Sequence, residues 1–330
     1  MDKIQALIRK QYKIHLSSYE KLVVGAGSNT YHLFAENGEQ YILKNTAVNE
    51  MNHPQNEPGL CNHLRSKGIP ASEFLPNIYN ELVWYDEGDV YHMQRFVPGK
   101  CFDMHDAPDW LMGEMARSLG KIHTAFMDYD PLPVGIGENF YRYMTPSNAL
   151  ISYNKSYHYA LDRGLQNIAD DLRYRIELMS RFSMPEIDLN KLTCRNTHGD
   201  YFVSQIICSH DSIAGIIDWT SASIHPVVWE IIRSFIYGSP ECKEGQIPIQ
   251  KMVAYTKAYL SEASLSRCDL MMMPYVFYHQ ISMCDYYGQY FHSDADNKDF
   301  FFQQAELSTK LMKWFELHAE DLSSELLCSC

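Results

Sequence analysis

Two acidic residues carry the chemistry that this sequence offers: Asp200 in THGDYFVSQII (197–207) and Asp218 in GIIDWTSASIHP (215–226). Both sit beside apolar, strand-like residues, where a carboxylate is costly unless it meets a metal, a cation or a substrate hydroxyl. Gln205 stands five residues after Asp200. An acid that orients a hydroxyl, followed by an amide and a second acid that hold a metal ion, are the parts that phosphoryl transfer requires. A capping role accounts for either acid singly, but poorly for both together. His198, directly before Gly199 and Asp200, reads as a structural histidine that fixes the loop.

A cation belongs with such acids, and Lys44 supplies one at the end of the β pattern YILK. It lies one hairpin after VVGAGSNTYHLF, where Gly25 and Gly27, with Ser28 and Asn29 in the same loop, let backbone amides approach an anion. A lone GxG equally suits an ordinary hairpin loop. Lys44 gives it weight as a lysine placed to grip nucleotide phosphates. Glu57 is the candidate acidic partner of Lys44, with Glu50 as the alternative. Because Pro58 follows it, Glu57 also suits the first turn of a helix, where an acid favours the N-terminus.

These residues need elements to hold them. Strands are predicted at 22–24, 30–35, 40–44, 82–85 and 90–96, with a primed two-residue turn at Asn37-Gly38 and a second hairpin through 86–89. One helix is predicted over 57–67, ended by Gly68. After Pro98-Gly99 the period changes. Leu111, Met115, Leu119, Ile122 and Phe126 form one helical stripe, and Leu165, Ile168, Leu172 and Ile176 another. The Pro-, Gly-, Asn- and Tyr-rich stretch 128–157 reads as a long loop. The last 90 residues read as helical, with Leu307, Leu311 and Phe315 on one face.

At 330 residues the chain suits two unequal lobes. We expect an N-terminal nucleotide-binding lobe over 1–97 and a catalytic, acceptor-binding lobe over 98–330, the latter with a core to 240 and a helical substrate side beyond. A formal charge of −13 argues against nucleic acid or an anionic membrane as partner. The nine scattered cysteines show no metal-like spacing and fit a reduced, cytoplasmic setting. The N-terminus lacks a signal peptide's apolar core, and no apolar run approaches the roughly 18 residues of a membrane span.

Lys44, the HGD of 198–200, the amide at 205, the IDW of 217–219, His225-Pro226 and Trp229-Glu230 together resemble the aminoglycoside phosphotransferase and choline kinase superfamily. The likeness runs over roughly residues 20–240. It implies an α+β, protein-kinase-like bilobal fold: a small five-stranded antiparallel N-lobe with one helix, and a larger, mainly helical C-lobe. It further implies ATP (or GTP) and Mg²⁺ as cofactors and a small-molecule hydroxyl as acceptor. Asp200 would be the catalytic base, Gln205 and Asp218 the Mg²⁺ ligands, and Lys44 a phosphate contact. Gln94 and Phe96, in MQRFVPG (93–99), would belong to the adenine-binding hinge, and Glu230 would lie on a helix bracing the catalytic loop. The family pattern has Asn where this chain has Gln205, roughly 1.5 Å longer. That departure leaves a silent nucleotide-binding pseudokinase as a competing reading, and paired acids with His198 also suit a metal-dependent hydrolase. The acceptor is expected against 275–301. Tyr201, next to Asp200, and Asp285 and Tyr286 within that region are candidate contacts, and Asp294, Asp296 and Asp299 could meet amines. An aminoglycoside, a sugar, an amino alcohol or another metabolite with a primary hydroxyl are the candidate acceptors.

Overall fold

A computed structural model describes residues 3–22, 28–46, 54–132, 143–293 and 298–330. The chain divides into two compact units, Met1–Cys101 with Gln205–Ala222, and Phe102–Ser204 with Ser223–Cys330.

An antiparallel sheet forms the first unit. Helix α1 (Lys3–Tyr12) precedes strands β1 (Leu16–Leu22), β2 (Ser28–Ala35) and β3 (Gln40–Thr46). Helix α2 (Glu57–Ser66) then leads to β4 (Phe74–Leu75), β5 (Val83–Asp86) and β6 (Asp89–Arg95). β1, β2, β3 and β6 lie side by side, and β4 and β5 both pair with the outer edge of β6. The β5–β6 turn has positive φ at both Glu87 and Gly88, as a primed turn demands. The turn at Asn37-Gly38 differs from the expected two-residue form. Ala35 N–H donates to the Glu39 carbonyl at 2.9 Å and only Gly38 takes positive φ, giving a three-residue loop.

Period-two alternation sorts the sheet's side chains. Leu33, Ala35, Tyr41, Leu43, Tyr91 and Met93 share one face with Ile4, Leu7 and Ile8 of α1. Alternation therefore puts Thr30, Lys44, His92 and Gln94 on the opposite face, where Lys44 stands directly across from Thr30 on β2 and His92 on β6. The sequence reading named neither α1 nor β4 and began β1 later. Ile4, Leu7, Ile8 and Gln11 are the buried residues of α1, a helical spacing present in the sequence.

The hairpin of Ile206–Ser209 and Ser212–Ile216, assigned by the sequence reading to the C-terminal lobe, belongs to the first unit. Ile216 N–H donates to the Pro70 carbonyl at 2.8 Å, and Lys100 and Cys208 exchange backbone bonds. At Gly99 a Cβ would meet the Cys208 carbonyl at 2.5 Å, so only glycine permits this approach.

The second unit is mainly helical: α3 (Asp109–Ala125), α4 (Pro146–Asp162), α5 (Gln166–Arg181), α6 (Val227–Gly238), α7 (Ile249–Leu260), α8 (Arg267–Met283), α9 (Tyr286–His292) and α10 (Asp299–Ser329). A short ribbon of Cys194–Thr197 against Ser223–Pro226 feeds α6. Helix α6 is buried almost all round, because α3, α7 and α8 pack on it. The expected loop over 128–157 is corrected by α4. Thr145 caps that helix by accepting from Asn148 N–H, Pro146 takes its first turn, and Ala149, Tyr153, Ser156 and Ala160 are its buried residues. Thr-Pro reads as a helix start only when the spacing after it is weighed above its loop-like composition.

Candidate active site

In the first unit, Lys44 is buried and its Nζ donates to Asp218 Oδ1 at 2.9 Å. Asp218 holds the left-handed conformation, φ 63° and ψ 65°, which Asp tolerates better than most residues. Thr220 Oγ1 donates to the same oxygen at 3.0 Å, fixing the carboxylate toward the lysine. Ile217 N–H donates to the Gln205 carbonyl at 3.0 Å, so Gln205 and Asp218 leave the same end of the 206–216 hairpin.

Glu57 is 1 % exposed, and no side chain donates a hydrogen bond to its carboxyl oxygens. Its pKa is raised to about 8, first by burial and then by the Asp218 charge, while Lys44 and the Trp219 backbone N–H oppose the rise. His92 Nδ1 stands 3.8 Å from Glu57 Oε1. Burial, and then Lys44, lower the His92 pKa to about 3. Burial also disfavours the Lys44 charge, but Asp218 outweighs it and holds that pKa above its ordinary value. The expected pairing is thereby corrected: Lys44 bonds to Asp218, and Glu57 remains a neutral acid beside a neutral imidazole at pH 7. Pro58 sits in the first turn of α2, and Asn56 makes no side-chain cap.

The other first-unit expectations divide. Gly25 and Gly27, like Glu50, lie outside the described residues. Ser28 and Asn29 open β2 opposite Thr46 and Asn45. Gln94 lies within β6, paired with Ile42 on one side and Phe74 on the other, and its buried Nε2 has no hydrogen-bond partner. Phe96 stacks on His32 with ring centroids 4.2 Å apart, and its N–H donates to the Gln40 carbonyl at 3.3 Å. The Phe96 N–H is thereby committed to the sheet.

In the second unit, Thr197 leads into His198, Gly199 at φ 79° and Asp200. Asp200 N–H donates to His198 Nδ1 at 3.3 Å, in line with a loop-fixing histidine. Glu230 on α6 accepts from the backbone N–H groups of His198 at 3.2 Å, Gly199 at 2.6 Å and Tyr201 at 3.5 Å, and from His123 Nε2 at 3.0 Å. Burial raises its pKa, yet His123 foremost, with His198 and His225, more than offsets this and the net direction is down, so Glu230 is a carboxylate. Asp200 Oδ1 accepts from Arg233 Nη2 at 2.6 Å. Sequence reading missed Arg233. The signal was its place three residues after Glu230, one turn along the same helix.

Two acceptor-side expectations change. Tyr201 is fully buried and its hydroxyl donates to the Met115 carbonyl at 3.0 Å, which ties the loop to α3 and leaves no surface for an acceptor. Asp285 caps α9: Oδ1 accepts from Gly288 N–H at 2.8 Å, and Oδ2 from Ser152 and Ser156 hydroxyls at 2.7 and 2.6 Å. Tyr286 lies within electrostatic reach of Arg233 and Tyr237, near the Asp200 cluster. Asp294 and Asp296 lie outside the described residues, and Asp299 opens α10 exposed.

Among the described residues no three His, Cys, Asp or Glu side chains gather as a metal cluster. The Gln205 amide and Asp218 carboxylate instead offer hard oxygen donors, a set that suits Mg²⁺ when phosphates and water complete its shell.

The chain matches the model of the phosphotransferase enzyme family (APH) over residues 18–247. No curated protein matches it. Among solved structures, an amicoumacin kinase is similar at TM-score 0.64 and 14 % identity, with 93 % of each chain covered. An aminoglycoside phosphotransferase from Alicyclobacillus acidocaldarius is similar at 0.63 and 13 %, over 97 % of this chain and 98 % of that one. A microcompartment-associated aminopropanol kinase is similar at 0.62 and 12 %, over 96 % and 98 %. These likenesses support the protein-kinase-like fold, with its antiparallel-sheet first unit and mainly helical second. With the family model spanning well over half of its length, the chain belongs to the phosphotransferase enzyme family.

Proposed function

We propose that the protein transfers the γ-phosphoryl group of ATP (or GTP), as its Mg²⁺ complex, to a hydroxyl of an aminoglycoside, sugar, amino alcohol or similar small molecule. The observation that carries this reading is the buried Lys44–Asp218 ion pair, 2.9 Å long, at the hairpin end that also bears Gln205. A fixed ammonium bonded to one carboxylate, with an amide residue at the same hairpin end, suits a triphosphate and its metal. Lys44 contacts the phosphates, and Gln205 and Asp218 hold the ion, which when bound neutralises charge on the transferring group.

Asp200 orients the acceptor. A bond forms from the acceptor oxygen to the γ-phosphorus as the bond to the β–γ bridging oxygen breaks, and the acceptor's proton passes to the Asp200 carboxylate. The nucleoside diphosphate leaves. Structural neighbours solved with AMP-PNP and amicoumacin, and with ADP and spectinomycin, support a nucleotide and a small-molecule acceptor. Nine cysteines without a disulfide suit a cytoplasmic enzyme.

Incubation with Mg²⁺ and γ-labelled ATP against pooled aminoglycosides, sugars, amino alcohols and nucleosides should label one pool. Mg-ATP binding by calorimetry with no pool labelled would reassign the protein as a silent nucleotide binder.

A further inference from the structure

Helix α6 holds the Asp200 loop twice. Glu230 takes the loop's backbone N–H groups, and one turn later Arg233 takes the Asp200 carboxylate at 2.6 Å. Residues three apart share a helix face, so the two grips come from one rigid, nearly fully buried element.

Arg233 is itself held. Its Cζ lies 4.9 Å from the ring centroid of Tyr237, 5.1 Å from Phe202 and 5.5 Å from Trp229. Tyr237 and Trp229 are the residues four after and four before it on α6, and Phe202 comes from the loop itself. Trp229 is fixed in turn by stacking on His225 at 4.7 Å and by donating Nε1–H to Gln280 Oε1 at 3.1 Å. A guanidinium walled by aromatic faces gains cation–π attraction and loses rotamer freedom before it meets its partner. A surface ion pair would have neither restraint.

We propose that Arg233 is a positioning residue for phosphoryl transfer, fixing the orientation of the Asp200 carboxylate toward the acceptor hydroxyl. This rests on the reading of Asp200 as the proton acceptor. A base that must meet a proton within hydrogen-bond reach gains from a fixed orientation, and misplacement by about 1 Å costs on the order of 10²-fold in rate. Lysine retains charge but lacks the planar fork and the stacking. The inference therefore separates a positioned acid from an acid that is merely neutralised.

The test is a mutant cycle with Mg-ATP and the panel acceptor that wild type labels best. Arg233→Gln should lower kcat about 10²-fold with the KM for Mg-ATP within about twofold of wild type, and Arg233→Lys should recover part of that loss. On an Asp200→Asn background, Arg233→Gln should cost little more, because its route to the reaction is already gone. Equal losses from Arg233→Gln on both backgrounds would mark a structural residue and overturn the proposal, as would unchanged kcat. If Arg233→Gln fails to fold by circular dichroism, Arg233→Lys in the same cycle decides by the same criterion. A wild type that labels no acceptor would instead sink the phosphotransfer reading on which the proposal stands.

Discussion

The two buried carboxyls, Glu230 and Glu57, are met in opposite ways. Around Glu230, the carboxylate meets three backbone N–H groups and His123, although the buried Arg233 Nη1 and His225 Nδ1 close by have no hydrogen-bond partner. Around Lys44, both His92 ring nitrogens, Thr30 Oγ1, Ser72 Oγ and Gln94 Nε2 are buried with no hydrogen-bond partner, and no side chain donates to the Glu57 carboxyl. A buried polar atom without a partner costs about 1–3 kcal/mol. The cluster whose carboxylate is satisfied holds that geometry before any ligand arrives. The unsatisfied one is the place where the fold retains polar capacity that a bound nucleotide and ion can use. The contrast predicts that damage near Asp200 appears in turnover, and damage near Lys44 in binding.

The largest effect should come from Asp200→Asn. Removing a proton acceptor costs about 10²–10⁴-fold in kcat. Titration calorimetry should find Mg-ATP affinity nearly unchanged. Near-wild-type turnover would erase the distinction between the clusters. Next in size is Lys44→Met, which removes a charged donor and should weaken Mg-ATP binding by about 10–100-fold, the equivalent of about 1.5–3 kcal/mol. If this variant instead binds normally and loses only kcat, the assignment of binding and turnover to separate clusters is reversed.

How much of this was legible in the sequence depends on the range of the interaction. The HGD loop, Asp218 and Lys44 could be read because their neighbours are local and apolar, so a charged residue there stands out. Period two placed Lys44 on a strand but could not say which acid would reach it, since Asp218 lies 174 residues away in sequence. Glu57 was the nearer acid in sequence, and the fold chose otherwise. His92 and Gln94 gave no signal, because a polar residue on a strand normally faces water, and this face becomes an interior where Glu57 of α2 and Asp218 close on it. Arg233 stayed hidden for a related reason: on a helix as apolar as α6, one arginine reads as a surface residue until its aromatic walls and Asp200 are seen together. Asp285 misled in the other direction, since its second oxygen is taken by Ser152 and Ser156 of α4, a helix masked by loop-like composition.

A smaller effect belongs to Gln205, the departure from the family's Asn. As a metal ligand through its amide oxygen, Gln205→Leu should raise the Mg²⁺ needed for half-maximal transfer by at least about tenfold, whereas Gln205→Asn should retain substantial activity. A Mg²⁺ titration of transfer rate distinguishes them. Equal rates for wild type and Gln205→Leu at limiting Mg²⁺ would leave Asp218 as the protein's ligand and remove Gln205 from the set.

The smallest effect, and the most direct probe of the unsatisfied cluster, is its pH dependence in metal-free protein. Glu57 titrates near pH 8 when folded against an ordinary value of 4.5, so between those values the folded chain holds a proton that the unfolded chain lacks. Its contribution to stability is complete below pH 4.5 and is lost as pH rises through 8. His92 runs the other way. With its folded value near 3 and an ordinary value of 6.5, its contribution is present above pH 6.5 and lost as pH falls toward 3. The two slopes oppose each other between pH 4.5 and 6.5, and above 6.5 that of Glu57 stands alone. Urea unfolding should therefore show stability falling by about 1 kcal/mol per pH unit between pH 6.5 and 8 in wild type. Glu57→Gln, neutral at every pH and close in shape, should be nearly flat over the same range. A flat wild-type profile would mean that Glu57 has found a partner or water, and the two clusters would then differ in residues but not in kind.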